Sequence, residues 1–152
     1  MNIASILSDY SEFPEPAIIH RGRSIRFAEL DDLAGRIARL LSLQGVRPQD
    51  PVLVFQPMSI ELYAVLLAIF RLGAIAMFLD PSAGKEHLER CCRISPPKAF
   101  IATAKAHLLR LLSPSIRRIP LQGTPEGLVK KARGLEPLPM FPCSLDDPAL
   151  LT

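Results

Sequence analysis

Tryptophan is absent from this chain, and aromatic residues make up only 6% of it. No stacking platform for nucleic-acid bases stands out. A dominant charge sign is missing too: 18 basic side chains face 15 acidic ones, a net charge of +3. Phosphate backbones select a concentrated basic patch, so the overall balance implies neither a nucleic-acid nor a membrane partner. The densest basic group is Arg110, Arg117, Arg118, Lys130, Lys131 and Arg133, and it reads as solvated surface. Cysteine is scarce: Cys91, Cys92 and Cys143, two of them adjacent. That is no disulfide framework, and it suits a reducing, cytoplasmic setting. Residues 1–14 lack a basic segment followed by an apolar run, so no signal peptide is read there. The one long apolar stretch, residues 60–79, carries Glu61 and Arg71 and is interrupted by Gly73. A helix breaking into a strand explains it better than a bilayer span of about 20 residues.

What is present is an ordinary globular composition, 49% apolar and 22% charged. A length of 152 residues suits one domain or one piece of a larger one. Ile3, Ile6, Leu7 and Tyr10 recur at helical spacing and predict a short amphipathic helix, ended by Pro14 and Pro16. Residues 17–20 and 24–27 flank Arg21-Gly22-Arg23 and predict a hairpin. Leu30, Leu33, Ile37, Leu40 and Leu41 mark one face of a helix over 27–43, with Gly45 where a left-handed cap is wanted. Residues 51–55 form a β-branched apolar run that suits a buried parallel strand. Ser59 is a fair cap for a helix over 60–72, apolar on nearly every side and closed by Gly73.

Beyond it the spacing predicts a strand over 74–79, a helix over 85–94, a strand over 99–102, a helix over 105–112 and a last short strand over 118–121. Strands alternating with helices predict an α/β fold: a hairpin and helix, then a layered, mainly parallel sheet with helices on its faces. Residues 122–147 are broken by Gly123, Pro125, Gly127, Gly134, Pro137, Pro139 and Pro142. They read as a connecting loop with one helical turn at 128–132. Residues 148–152 read as the start of another strand. The division expected is thus 1–121, 122–147 and 148–152. A parallel sheet cut there leaves an unpaired edge, so self-association is expected unless the proline-rich tail folds back as a cover.

Candidate chemical motifs are weak. Ser82-Ala83-Gly84-Lys85 approaches a phosphate loop, but the Walker pattern needs Gly in place of Leu79 and Ser or Thr in place of Glu86. His87 and Cys91 sit four apart, as two metal ligands would, yet no second pair at metal spacing follows. His20 and His107 are isolated, and no Gly-x-Ser-x-Gly elbow anchors a Ser-His-Asp arrangement. Glu86 and Glu89 read as solvated charges near a helix N-terminus. Leu62, Leu66, Ile69 and Phe70 read as core.

The order of blocks carries a resemblance. Phe27-Ala28-Glu29-Leu30 opens a helix. An apolar helix then ends Phe70-Arg71-Leu72-Gly73-Ala74, and a strand ends Phe78-Leu79-Asp80-Pro81. Residues 13–121, with an echo at 147–152, resemble the opening of the AMP-forming acyl-CoA synthetase and adenylation-domain superfamily. Residues 98–102 followed by 106–111 are similar to its long-chain acyl branch, which includes the olefin-pathway β-lactone synthetases. One departure is local: Arg26 stands where that family carries Thr or Ser, and a missing capping hydroxyl costs about 1 kcal/mol.

The resemblance implies an N-terminal part of an incomplete adenylation-domain core. The parent would be an ATP-dependent acid–thiol ligase that activates a carboxylic acid, a fatty acid in this branch, as acyl-adenylate. It would use ATP and Mg²⁺, and the acyl group would pass to a thiol such as coenzyme A or, in the β-lactone branch, close a ring instead. The family's glycine-rich phosphate loop would begin where this chain ends. No catalytic, cofactor-binding or metal residue is therefore assigned within 1–152. The segment alone is expected to need no cofactor and to be inactive. A non-catalytic α/β interaction or regulatory module derived from such a synthetase needs the same residues and stands as the alternative.

Overall fold

A computed structural model describes residues 2–80, 82 and 84–152. Helix α1 spans Ser5–Asp9, and strands β1 (Pro16–His20) and β2 (Arg23–Arg26) form the expected antiparallel hairpin. Of the four apolar residues read as one face of α1, only Leu7 is buried, whereas Ile3, Ile6 and Tyr10 are exposed. Helix α2 spans Phe27–Leu43, as its periodicity predicts. Its start is half a capping box. The Glu29 carboxylate accepts the Arg26 amide at 2.9 Å, but a guanidinium has no acceptor with which to answer. Its end is a full Schellman cap: the Gly45 amide donates to Ser42, the Val46 amide donates to Leu41, and Gly45 has φ +99°.

Strand β3 (Pro51–Phe55), helix α3 (Ile60–Arg71) and strand β4 (Ile75–Met77) form the first crossover. Ser59 Oγ accepts the Leu62 amide at 3.0 Å. Helix α4 (Gly84–Ile94) leads to β5 (Ala99–Ala102). A 3₁₀ turn (Ala106–Leu108) then runs into α5 (Leu109–Leu112), followed by α6 (Pro114–Arg118) and β6 (Leu121–Gly123). Helix α7 (Pro125–Ala132) and strand β7 (Leu150–Leu151) complete the order.

Two expectations need correction here. Residues 118–121 are not the last strand: Arg118 closes α6 and the strand begins at Leu121. Residues 122–147 are not a loop with one turn, because α7 is eight residues long. Both missed helices start alike. Ser113 caps Pro114, and Thr124 caps Pro125, each hydroxyl accepting an amide three residues on. Proline at the first helical position begins a helix, since its missing N–H is one no helix uses there.

The five parallel strands lie in the order β6-β5-β3-β4-β7. Side chains alternate across the sheet. Val52, Val54, Ala76, Ala99 and Ile101 pack toward α2, α3 and α7. Leu53, Phe55, Met77, Phe100 and Ala102 pack toward α4 and α6. The crossover through α3 steps one way along the sheet and the crossover through α4 steps back past β3. They lie on opposite faces, as right-handed connections require. No residue of α3 is exposed, which fits its nearly all-apolar sequence.

The proline-rich tail folds back across α2 and α3. The Leu138 amide donates to Gly35 O at 2.9 Å, and the Phe141 amide donates to Arg71 O at 2.8 Å. Arg71 donates to Leu138 O through Nε and, through Nη1, to Asp31 Oδ1 at 2.6 Å. Gly35 has no room for a methyl group, because a Cβ there would stand 2.7 Å from Pro137 Cβ. The strap then delivers β7 to the edge of β4, where Ala76 donates to Ala149 O and Phe78 to Leu151 O.

Gly73 is the tightest point under the strap. Its φ is +74°, and a Cβ would meet the Phe141 ring at 2.5 Å. Gly73→Ala is expected to destabilise the chain by about 2 kcal/mol, read by urea denaturation. In a Phe141→Ala background the steric part disappears and the cost falls to about 1 kcal/mol. An equal cost in both backgrounds would show that the ring does not set the constraint.

Candidate functional site

In open parallel sheets the crevice for ligands lies outside the carboxyl ends of the strands, where the strand order reverses. Here that place is between β3 and β5. The ends of β3, β4 and β5 open into a groove of about 570 Å³ lined by Phe55, Gln56, Phe78, Leu79, Lys105 and Leu109. A neighbouring recess of about 310 Å³ shares Phe55 and Leu109 and adds Asp80, Lys85, Leu88 and Ser113. The walls are apolar because the strand ends carry alternate core residues outward. Gln56 is the exception on the floor: its Nε2 donates to Ser59 Oγ at 3.4 Å, and its Oε1 is buried without a partner.

Around the recess, Asp80 Oδ1 accepts the Ser82 amide at 2.8 Å, and that bond, more than the nearby His87, holds its carboxyl below the ordinary value. The phosphate-loop reading of residues 82–85 falls partly on Ala83, outside the described residues, as does Pro81 of the Asp80-Pro81 block. Gly84 and Lys85 open α4. His87 Nε2 lies 3.5 Å from Cys91 Sγ. Among the described residues no group of three His, Cys, Asp or Glu side chains could hold a metal. Burial lifts the Cys92 thiol to about 11, an unreactive core thiol. His107 Nε2 meets Gly123 O at 2.8 Å and its ring packs edge-on to Phe100, a structural role.

The reading of Glu89 as a solvated charge is corrected. Its carboxylate accepts the hydroxyls of Ser113 and Ser115 and ties α4 to the start of α6. These two bonds, Ser113 first, hold its carboxyl below the usual range. The sequence signal available was a carboxylate one helical layer away from a Ser-Pro-Ser start. By contrast, Leu62 and Ile69 are buried and Leu66 and Phe70 pack against the same core, as expected.

The donor set does not suit a magnesium–nucleotide complex. Among the described residues no run of glycine amides lines the groove, and Asp80 at the rim is already engaged with the Ser82 amide. Lys85 and Lys105 offer positive charge, Gln56 one free acceptor, and the walls offer apolar contact. The crevice can hold an apolar group; the hydroxyl at its wall, Ser113, is buried and committed to the Glu89 carboxylate.

The order and packing of these elements define the N-terminal α/β part of an adenylation domain. A Mycobacterium tuberculosis fatty acyl CoA synthetase superposes with a TM-score of 0.82 over 98% of this chain and 32% of its own, at 20% identity. A benzoate CoA ligase from Burkholderia xenovorans LB400 gives 0.81 over 99% and 32%, also at 20%. The family profile described as AMP-binding enzyme matches residues 11–152, and the chain belongs to that family. An olefin beta-lactone synthetase of Xanthomonas campestris is 34% identical over 90 residues, 59% of this chain and 16% of that protein. A dimodular nonribosomal peptide synthase of Bacillus subtilis is 29% identical over 90 residues, 59% of this chain and 4% of that protein. The chain spans less than a fifth of both of these curated relatives.

The Glu89 bonds generate a pH test. A carboxylate with a depressed folded pKa adds stability that is present above its unfolded value and lost as pH falls through the folded one. Glu89→Gln is expected to lower stability by about 1 kcal/mol at pH 7. The gap should close as pH drops below about 4. A gap of the same size at pH 7 and at pH 3 would remove the charge from the explanation.

Proposed function

We propose that these residues serve as the opening scaffold of an ATP-dependent, AMP-forming acid–thiol ligase. The parent activates a carboxylic acid, by this reading a fatty acid, as acyl-adenylate and passes the acyl group to coenzyme A. The observation that carries it is the family match over 11–152. Similarity to two olefin beta-lactone synthetases, at 34% and 30% identity, supports the acyl branch. Transfer of a nucleotidyl group needs preorganised donors around a charged phosphorus. Among the described residues the groove offers two lysines and no cradle of backbone amides, so we read the 152 residues as scaffold. They set the sheet whose strand ends border the site.

The chain by itself is expected to show no acid-dependent pyrophosphate exchange and no ATP binding at micromolar concentration by calorimetry. Micromolar binding would overturn the scaffold reading. Translating the gene beyond codon 152 is expected to reveal a Ser/Thr/Gly-rich loop in frame. That longer polypeptide should exchange pyrophosphate with straight-chain fatty acids. Exchange with aryl or amino acids alone would reject the fatty-acid part while leaving the ligase intact.

A second reading, a non-catalytic module derived from such a synthetase, draws on one observation: among the described residues both faces of the five-stranded sheet are covered by helices. A stop codon after Thr152 with stable soluble expression favours it. In either case the tail folds back and lays β7 on the edge of β4; the weak self-association we propose is therefore confined to the short outer edges at β6 and β7, three and two residues long. Light scattering showing a clean monomer at high concentration would contradict that.

A further inference from the structure

The balanced net charge hides a strong local asymmetry. Between Glu89 and Glu126 the chain holds seven basic residues and no acidic one. Six of them, Arg90, Arg93, Lys105, Arg110, Arg117 and Arg118, are exposed on the α4–α5–α6 layer or its approach, all on one side of the sheet. The basic group read from the sequence as one cluster is split by the fold. Lys130, Lys131 and Arg133 belong to α7 and its end, on the opposite face.

The same layer carries an exposed apolar corner. Leu108, Leu111 and Leu112 are 61%, 73% and 64% exposed. They recur at helical spacing on the outer side of the turn, while Leu109 faces inward against the second core cluster. This corner is held in place. Arg117 donates through Nε to Arg110 O at 3.2 Å and through Nη2 to Leu111 O at 3.4 Å. Those are carbonyls that the end of α5 leaves unsatisfied. The leucines are thus presented outward by a braced turn, with Lys105, Arg110 and Arg117 beside them; Arg93 and Arg118 lie at the far end of the layer, next to Pro96 and Pro97.

We propose that this corner docks the protein peripherally on an anionic lipid bilayer. Exposed apolar side chains on a helical turn flanked by Lys105, Arg110 and Arg117 match the headgroup boundary, where short apolar surfaces insert and basic residues meet acidic lipid. A protein partner is the poorer fit, because interface anchors are dominated by Trp, Tyr and Arg and leucine is under-represented. Nucleic acid fits less well still, since phosphates give three exposed leucines nothing to bind. The proposal does not rest on the acyl-ligase reading, because docking needs neither ATP nor acid. Leu109 and Leu112 also line the crevice at the strand ends, so docking would set that crevice beside the bilayer.

The test is sedimentation of the 152-residue chain with phosphatidylcholine vesicles, with and without phosphatidylglycerol, in the absence of nucleotide. Binding is expected with the anionic vesicles at low salt and is lost at about 0.5 M salt. Leu111→Ser combined with Leu112→Ser is expected to weaken it about tenfold or more. Arg110→Glu is expected to weaken it about fivefold or more. Leu145→Ser, 90% exposed on the strap, serves as the control and should bind as the parent does. Circular dichroism confirms that each variant is folded. Any one of five results overturns the proposal. Vesicle binding could be absent, indifferent to lipid charge, or unchanged in the leucine variant. The leucines could instead govern only self-association, or capture of a nucleic-acid oligomer.

Discussion

The corner at Arg71, Leu72 and Gly73 joins segments that lie far apart in the chain. Helix α3 must stop there, and the chain must turn at once into β4. Only a residue free to adopt φ +74° allows the turn in so few steps. The same corner receives the strap. The Phe141 ring occupies the space a Cβ would need at Gly73, its amide binds the Arg71 carbonyl, and the Arg71 guanidinium reaches both Asp31 and Leu138. Asn2 joins from the N-terminus, donating to Phe70 O at 2.7 Å and to Phe141 O at 3.0 Å. Four segments distant in sequence therefore close on one helix end. Without that closure β7 would not be carried to β4.

The sheet above this corner separates two roles. One face, with α2, α3, α7 and the strap, is bound together by the larger core. The other, with α4, α5 and α6, has a smaller core, a carboxylate clasp at Glu89 and a surface rich in cations. The crevice lies at the strand ends between them. Membership in the AMP-binding family makes sense of this division. A layered sheet with firm connections at its amino ends can present its carboxyl ends to chemistry supplied by other residues.

Much of the architecture could be read from local pattern. Helix α2, strand β3 and strand β5 have the bounds that periodicity and β-branched runs predict. The caps at Gly45, Ser59 and Gly73 act as expected because each is a local, backbone-level requirement. The failures were also local. Ser113-Pro114 and Thr124-Pro125 read as breaks when each is a helix start, since proline stops a helix from within and begins one from its first turn. Arg26 hid a cap whose other half, Glu29, still works.

The candidate site was far less legible. Gln56 follows β3, Phe78 follows β4, and Lys105 and Leu109 follow β5, and nothing in the distance between these segments announces that they share a groove. Glu89 looked like a surface charge because its two hydroxyl partners lie 24 and 26 residues away. By itself the sequence determined the alternation of strands and helices, the turn glycines and the family, because these depend on neighbours along the chain. Only the tertiary structure decided which strands pair, that the tail becomes a strap, and that one basic cluster is two. Those follow from which faces must be buried together, and burial is a property of the assembled layers.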